Sequence, residues 1–190
     1  MRQFQFKQIE EFDSAYEIFP LLVEDDRGYV IKDYHEETMK KNGIELPLKE
    51  VFYTKSKKGV IRAIHFQVVK SQAKLVRCVR GKIFDVIVDL RVDSPTYKKW
   101  KGFLLDENSQ ELYIPHGFGH GYLVLEDSIV SYKCDEKFYG EYDSGICWND
   151  PDIDIKWPLE QVDNIILSDK DKSLQTLKEY EQNKNAFRIN

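Results

Sequence analysis

At 190 residues the chain is long enough for one domain, residues 1–190, with a core and an enclosed pocket, and no linker or break in composition divides it. Lysine and arginine (28) are interspersed with aspartate and glutamate (33) for a net charge of −5, which argues against a nucleic-acid partner, and the 42% apolar content argues against disorder. No apolar run approaches membrane-spanning length, and MRQFQFKQIEEF lacks the apolar segment of a signal peptide, so a cytoplasmic protein is expected.

Period-two alternation dominates the chain. A first strand is predicted over Tyr16 to Val23, then a helix in DYHEETMKKNG that ends on an Asn42-Gly43 C-cap. A strand follows at Val60 to Phe66. KLVRCVRGKIFDVIVDLR, Lys74 to Arg91, predicts two strands joined by a tight turn at Arg80-Gly81-Lys82. In the second, Ile83, Asp85, Ile87 and Asp89 share one face, and Phe84, Val86, Val88 and Leu90 the other. With apolar residues on both faces, one face is expected to be covered by a second copy of the chain, giving a homodimer. Further strands are predicted at Gly102 to Leu105, Glu111 to Ile114, Gly121 to Leu125 and Ile129 to Lys133, and a second helix in KSLQTLKEYEQNK. Residues from about Asn183 have little to bury and are predicted to fray. This is the rhythm of an all-β sandwich or barrel with short helices near its two ends.

Some polar residues are not explained by that pattern. GVIRAIHFQ places Arg62 and His65 in an apolar, β-prone run, where a titratable ring is unfavourable without a partner. Three apart on a regular strand, they point to opposite faces; a bulge, or a position for Arg62 at the strand's end near a barrel mouth, would reconcile them, and the second is preferred. There is no His-x-His pair, and IPHGFGHGY is too broken by proline and glycine for His116 and His120 to share a helical face, so no metal site is predicted. His116 taken alone reads as a core histidine satisfied by backbone. Cys78, Cys134 and Cys147 are odd in number and far apart, which predicts reduced, mostly buried thiols.

GVIRAIHFQ, QAKLVRCVRGKIFDVIVDLR, SPTY, IPHGFGHGYLVL, YKC, WNDPDIDIKWP and LSDKD, in that order and spacing, closely resemble the dTDP-4-dehydrorhamnose 3,5-epimerase family from about Asp26 to Asp171. The resemblance implies a cupin-like jelly-roll β-barrel that dimerises, uses no metal or cofactor and acts on a nucleotide-linked 4-keto-6-deoxyhexose. It implies His65 as base, Tyr132 as the acid across the sugar ring, Lys74 as stabiliser of the enolate oxygen and Asp171 as partner of the base. Arg27 and Arg62 match residues that hold the diphosphate. Without the resemblance, Arg27 in DDRG would read as a turn residue paired with its acidic neighbours. His120, Lys170 and Asp143 match substrate-contacting positions, although the family commonly has glutamate at the last, and Phe138 matches an aromatic that stacks on the base. Lys32, Glu50 and Phe52 depart from the family's base-contacting glutamate, glutamine and asparagine, which leaves the nucleotide base open. Two other readings stand beside this one: a cupin enzyme of different chemistry, either a keto-sugar isomerase or a metal-dependent oxygenase, and a non-catalytic sugar-binding barrel.

Overall fold

The computed structural model describes residues 1–187. Its strands are β1 (Gln5–Gln8), β2 (Tyr16–Phe19), β3 (Leu21–Asp25), β4 (Gly28–Lys32), β5 (Glu50–Ser56), β6 (Ile61–Gln67), β7 (Lys74–Asp89), β8 (Trp100–Asp106), β9 (Glu111–Ile114), β10 (Phe118–Cys134) and β11 (Asp143–Gly145). Short helices α1 (Glu36–Lys41), α2 (Asp169–Lys172) and α3 (Leu177–Glu181) complete the described elements with one 3-10 turn, Leu159–Gln161.

The architecture rests on β7 and β10, which pair antiparallel along their whole length. Each was predicted as two strands. Instead of a hairpin turn, Gly81 adopts φ +82 and sits so close to β10 that a Cβ there would lie 2.2 Å from the Asp127 carbonyl oxygen. The facing register slips between Val124 and Val130, so both strands bend together and continue. That shared bend folds one nine-stranded sheet into two halves that face each other. Ile83, Ile87, Tyr122 and Val124 from one half meet Val76, Val130 and Tyr132 from the other in the interior core. The all-β jelly-roll expectation therefore holds, while its strand boundaries shift.

Pro20 splits the strand predicted over Tyr16 to Val23, because it has no N–H to donate to a ladder. β2 stays in the main sheet, and β3 leaves it to form a two-stranded ribbon with β4. The first helix ends as predicted at Asn42, with Gly43 at φ +79. The second, predicted in KSLQTLKEYEQNK, is shortened to α3, since Gln175 before it bridges Ile146 and accepts the Cys147 N–H.

Val86 and Val88, on the outer face of β7, and Leu90 just past its end are fully buried by this chain's own C-terminal segment, including Ile146, Trp157, Leu177 and Tyr180. Apolar residues on both faces of IFDVIVDL thus do not require a second subunit. The same segment corrects the fraying predicted from Asn183: Ala186 is buried, and the Phe187 N–H donates to the Tyr180 hydroxyl at 2.7 Å. Residues 188–190 of that tail lie outside the described ones. The SPTY stretch is a clamp on buried Asp89, whose carboxylate accepts from the hydroxyls of Ser94 and Thr96 and from the Arg91 guanidinium.

Candidate active site

A cavity of about 440 Å³ opens between the two halves of the sheet. β6 contributes Arg62, His65 and Gln67, β7 contributes Lys74, and β10 contributes His120 and Tyr132. Glu50, Phe52 and Thr54 of β5 form another wall, and Phe138 of the β10–β11 connection, Asp143 of β11 and Lys170 of α2 stand around it.

Arg62 and His65 share the cavity because of a bulge. Between the pairs His65–His120 and Arg62–Tyr122, β6 spends three steps and β10 only two. Gly121 makes this possible: a Cβ there would lie 2.5 Å from the Ala63 Cβ. Arg62 is also the second residue of β6, so the preferred placement at the strand's end holds as well, and its Nε donates to Ser56 Oγ at 3.1 Å.

His65 has the partner that its setting demands. Its Nε2 lies 2.7 Å from Asp171 Oδ1, and a carboxylate can only accept, so Nε2 carries the proton and neutral imidazole keeps its lone pair on Nδ1. Asp171 is held by its own turn, where Ser168 caps α2 by accepting the Asp171 N–H and donates its hydroxyl to the other carboxylate oxygen. Burial alone would raise the Asp171 pKa; hydrogen bonds from His65 and Ser168 outweigh it and hold the carboxyl below its usual range.

Opposite His65 on β10, His120 Nε2 lies 2.8 Å from Oδ2 of the fully buried Asp85. The His120 ring meets Tyr132 edge-on, with centroids 5.7 Å apart. Burial drives the Tyr132 pKa well above that of free tyrosine, and the neighbouring Tyr122 and Asp85 push it the same way, so the phenol keeps its proton. Burial also lowers the Lys74 pKa, opposed by Cys134 and Asp143. Lys170 pairs with Asp143 across the rim, so the shorter acid still reaches a partner.

The structure thus gathers His65, Lys74, Tyr132, Arg62, His120, Lys170, Asp143 and Phe138 around one cavity, with Asp171 directly behind His65. Arg27 is not among the lining residues. It sits at the tip of the β3–β4 ribbon, 89% exposed, paired with Asp25 as its acidic neighbourhood suggests. His116 is no core histidine: its side chain is 54% exposed and its Nε2 meets Asp135 Oδ2 at 2.8 Å. Lys32 lies on the same ribbon as Arg27, whereas Glu50 and Phe52 line the cavity. The sequence motifs imply no role for Gln67, Gln72 or Thr54, which also line the cavity. Gln67, two residues beyond His65, shares its strand face by simple alternation; Gln72 lies in a loop and carried no such signal. Among the described residues no group of three or more His, Cys, Asp or Glu side chains is placed to hold a metal ion.

A family model described as dTDP-4-dehydrorhamnose 3,5-epimerase matches residues 10–179. The chain belongs to the dTDP-4-dehydrorhamnose 3,5-epimerase family. One relative, the dTDP-4-dehydrorhamnose 3,5-epimerase of Methanothermobacter thermautotrophicus, is 48% identical, with 94% of this chain and 97% of that protein covered. Two solved epimerases superpose closely on this fold. The enzyme from Legionella pneumophila in complex with dTDP-4-keto-L-rhamnose gives a TM-score of 0.91 at 31% identity over 99% of this chain and 100% of that one. The enzyme from Bacillus anthracis with TDP and PPi bound gives 0.85 at 39% identity over 92% and 99%. The epimerase barrel of this family is therefore the cupin-like fold that the sequence motifs implied.

Proposed function

We propose that this single-domain chain is a cofactor-free epimerase that inverts C3, C5 or both of a nucleotide-linked 4-keto-6-deoxyhexose, in the synthesis of deoxysugars for cell-surface polysaccharide. The observation that carries the reading is the meeting of an Asp171-backed His65, a protonated Tyr132 and Lys74 in one cavity. Hydrogens alpha to the C4 carbonyl are acidic because their loss gives an enolate. His65 Nδ1 removes the hydrogen, the Lys74 ammonium stabilises the charge growing on O4, and Tyr132 delivers a proton to the opposite face of the carbon. Asp171 stabilises the imidazolium that forms. Arg62, His120, Lys170 and Asp143 hold the sugar and diphosphate, and Phe138, 57% exposed at the rim, offers a face for the base.

The other two classes lack support of this kind. The matched relatives are named as epimerases, not as isomerases or oxygenases, and a binding module would not need a base with its own carboxylate.

The protein works as a homodimer in the cytoplasm. No described helix is long and apolar enough to cross a membrane. The β3–β4 ribbon presents Val23, Tyr29 and Val30 to solvent, 40%, 54% and 65% exposed, and a second copy seated on it would bury them. Arg27 on that ribbon could then serve a phosphate only across the interface.

The test is conversion of thymidine diphosphate 4-keto-6-deoxyglucose, with configuration at C3 and C5 read by NMR before and after dialysis against chelator. Inversion that survives chelation is expected. Activity lost to chelator and restored by a divalent metal would instead indicate the oxygenase class.

A further inference from the structure

Three hydroxyl-bearing side chains, Tyr132, Tyr122 and Thr54, lie together at the cavity wall. Tyr132, only 7% exposed, borders the cavity. The Tyr122 phenol, fully buried, stands close enough to Tyr132 to raise its pKa. Thr54 Oγ1 lies 2.8 Å from the Tyr122 hydroxyl and itself lines the cavity. The shared bend of β7 and β10 brings Tyr122 and Tyr132, ten residues apart on one strand, onto the same His120 ring at 6.1 and 5.7 Å. Phenylalanine at 122 would fill the same space without the cost of burying a hydroxyl, so that group calls for a use.

Proton bookkeeping in the proposed reaction supplies one. Each inversion moves a hydrogen from carbon to His65 and the phenolic proton of Tyr132 to carbon, leaving an imidazolium and a tyrosinate. Neither group can act again, at the second carbon or in the next turnover, until both are reset. His65 has 27% of its side chain exposed and can release its proton to solvent. Tyr132 is closed in by the Phe52 ring stacked on it at 4.7 Å and, during reaction, by the sugar.

We infer that Tyr122 and Thr54 are positioning residues that form a relay returning a proton to Tyr132. The Tyr122 O–H bond breaks as the Tyr132 O–H bond forms, Thr54 passes its hydroxyl proton to the Tyr122 oxygen, and water in the cavity restores Thr54. The proton that His65 releases neutralises the hydroxide left behind, so the cycle is balanced without any co-reactant. The inference rests on the epimerase reading.

The test compares wild type, Tyr122→Phe, Thr54→Val and Thr54→Ser with thymidine diphosphate 4-keto-6-deoxyglucose, by rapid quench at stoichiometric enzyme and in the steady state. A relay predicts that the ratio of steady-state to first-turnover rate falls at least about tenfold in Tyr122→Phe and in Thr54→Val, a modest share of a general acid's usual effect. Thr54→Ser, which keeps the hydroxyl, should restore it. Loss of a merely structural contact would slow both phases together and overturn the relay, as would unchanged ratios in both hydroxyl-deleted variants. Because the two deletions lie on different strands, misfolding of one leaves the other decisive. A wild-type protein that binds the nucleotide sugar but never inverts it would overturn the epimerase reading itself, a distinct result.

Discussion

Nε2 of His65 lies 2.7 Å from Oδ1 of Asp171, a residue 106 positions later in the chain. This pair joins the first motif of the sequence to the last and sets the tautomer of the proposed base. Asp171→Asn should therefore reduce turnover by about 10²- to 10⁴-fold with little change in KM, since the amide can donate where His65 Nε2 must donate. The same variant has a pH signature. The Asp171 pKa is lowered in the folded protein, so its stabilisation is present above the unfolded carboxyl's pKa and is lost as pH falls through the folded value. Melting temperatures of wild type and Asp171→Asn should diverge above about pH 4 and converge in stronger acid.

Phe52 lies flat on Tyr132, with ring centroids 4.7 Å apart and planes 6° from parallel, as its cross-strand partner. Phe52→Asn, the type that the family commonly carries there, removes a stacking contact of about 0.5–1.5 kcal/mol. It should lower inversion more than deuterium exchange, because the acid is loosened and the base is untouched. Equal losses in both would show that the stack does not position Tyr132.

Much of the site was legible because its residues sit in motifs that combine rare residue types: His65 in GVIRAIHFQ, His120 in IPHGFGHGY, Asp171 in LSDKD. What was not legible depends on tertiary placement. Gly81 has the local chemistry of a hairpin turn, and only its packing against Asp127 shows that two long strands bend there together. Arg27 carries its motif correctly, yet the ribbon takes it away from the cavity, because Pro20 releases β3 from the main sheet. Tyr122 reads as an ordinary strand residue and Thr54 falls outside every strand predicted from the sequence; that their hydroxyls meet depends on β5 pairing with the far half of β10.

Glu111 is fully buried, and neither carboxylate oxygen has a hydrogen-bond partner. Burial raises its pKa well above 4.5, only partly offset by Lys133 and Arg77. Above about pH 4.5 the unfolded chain releases a proton that the folded chain retains, so stability falls as pH rises toward the folded value. Glu111→Gln removes that ionisation and should raise the melting temperature at pH 7 by a few degrees, on the order of 1–2 kcal/mol, with the gain shrinking toward pH 4. A gain that grows in acid would contradict the assignment.

Gly121→Ala forces a methyl group against the Ala63 Cβ and the Arg62 carbonyl, 2.5 and 2.7 Å from the ideal Cβ position. Overpacking of this kind costs about 1–3 kcal/mol. Because it presses on the bulge that turns Arg62 and His65 into one cavity, turnover should fall along with stability. Calorimetry and kinetics on the same sample separate this from simple unfolding.

The most direct measurement is solvent deuterium exchange. In D2O with thymidine diphosphate 4-keto-6-deoxyglucose, the wild-type protein should place deuterium at C3, at C5 or at both, with inverted configuration seen by NMR. His65→Ala should abolish labelling, since no enolate forms without the base. Tyr132→Phe should still allow deuterium to enter from the His65 face with configuration retained. Wild-type protein that binds the sugar nucleotide yet leaves both carbons unlabelled after long incubation, or a His65→Ala variant that labels as fast as wild type, would contradict the account.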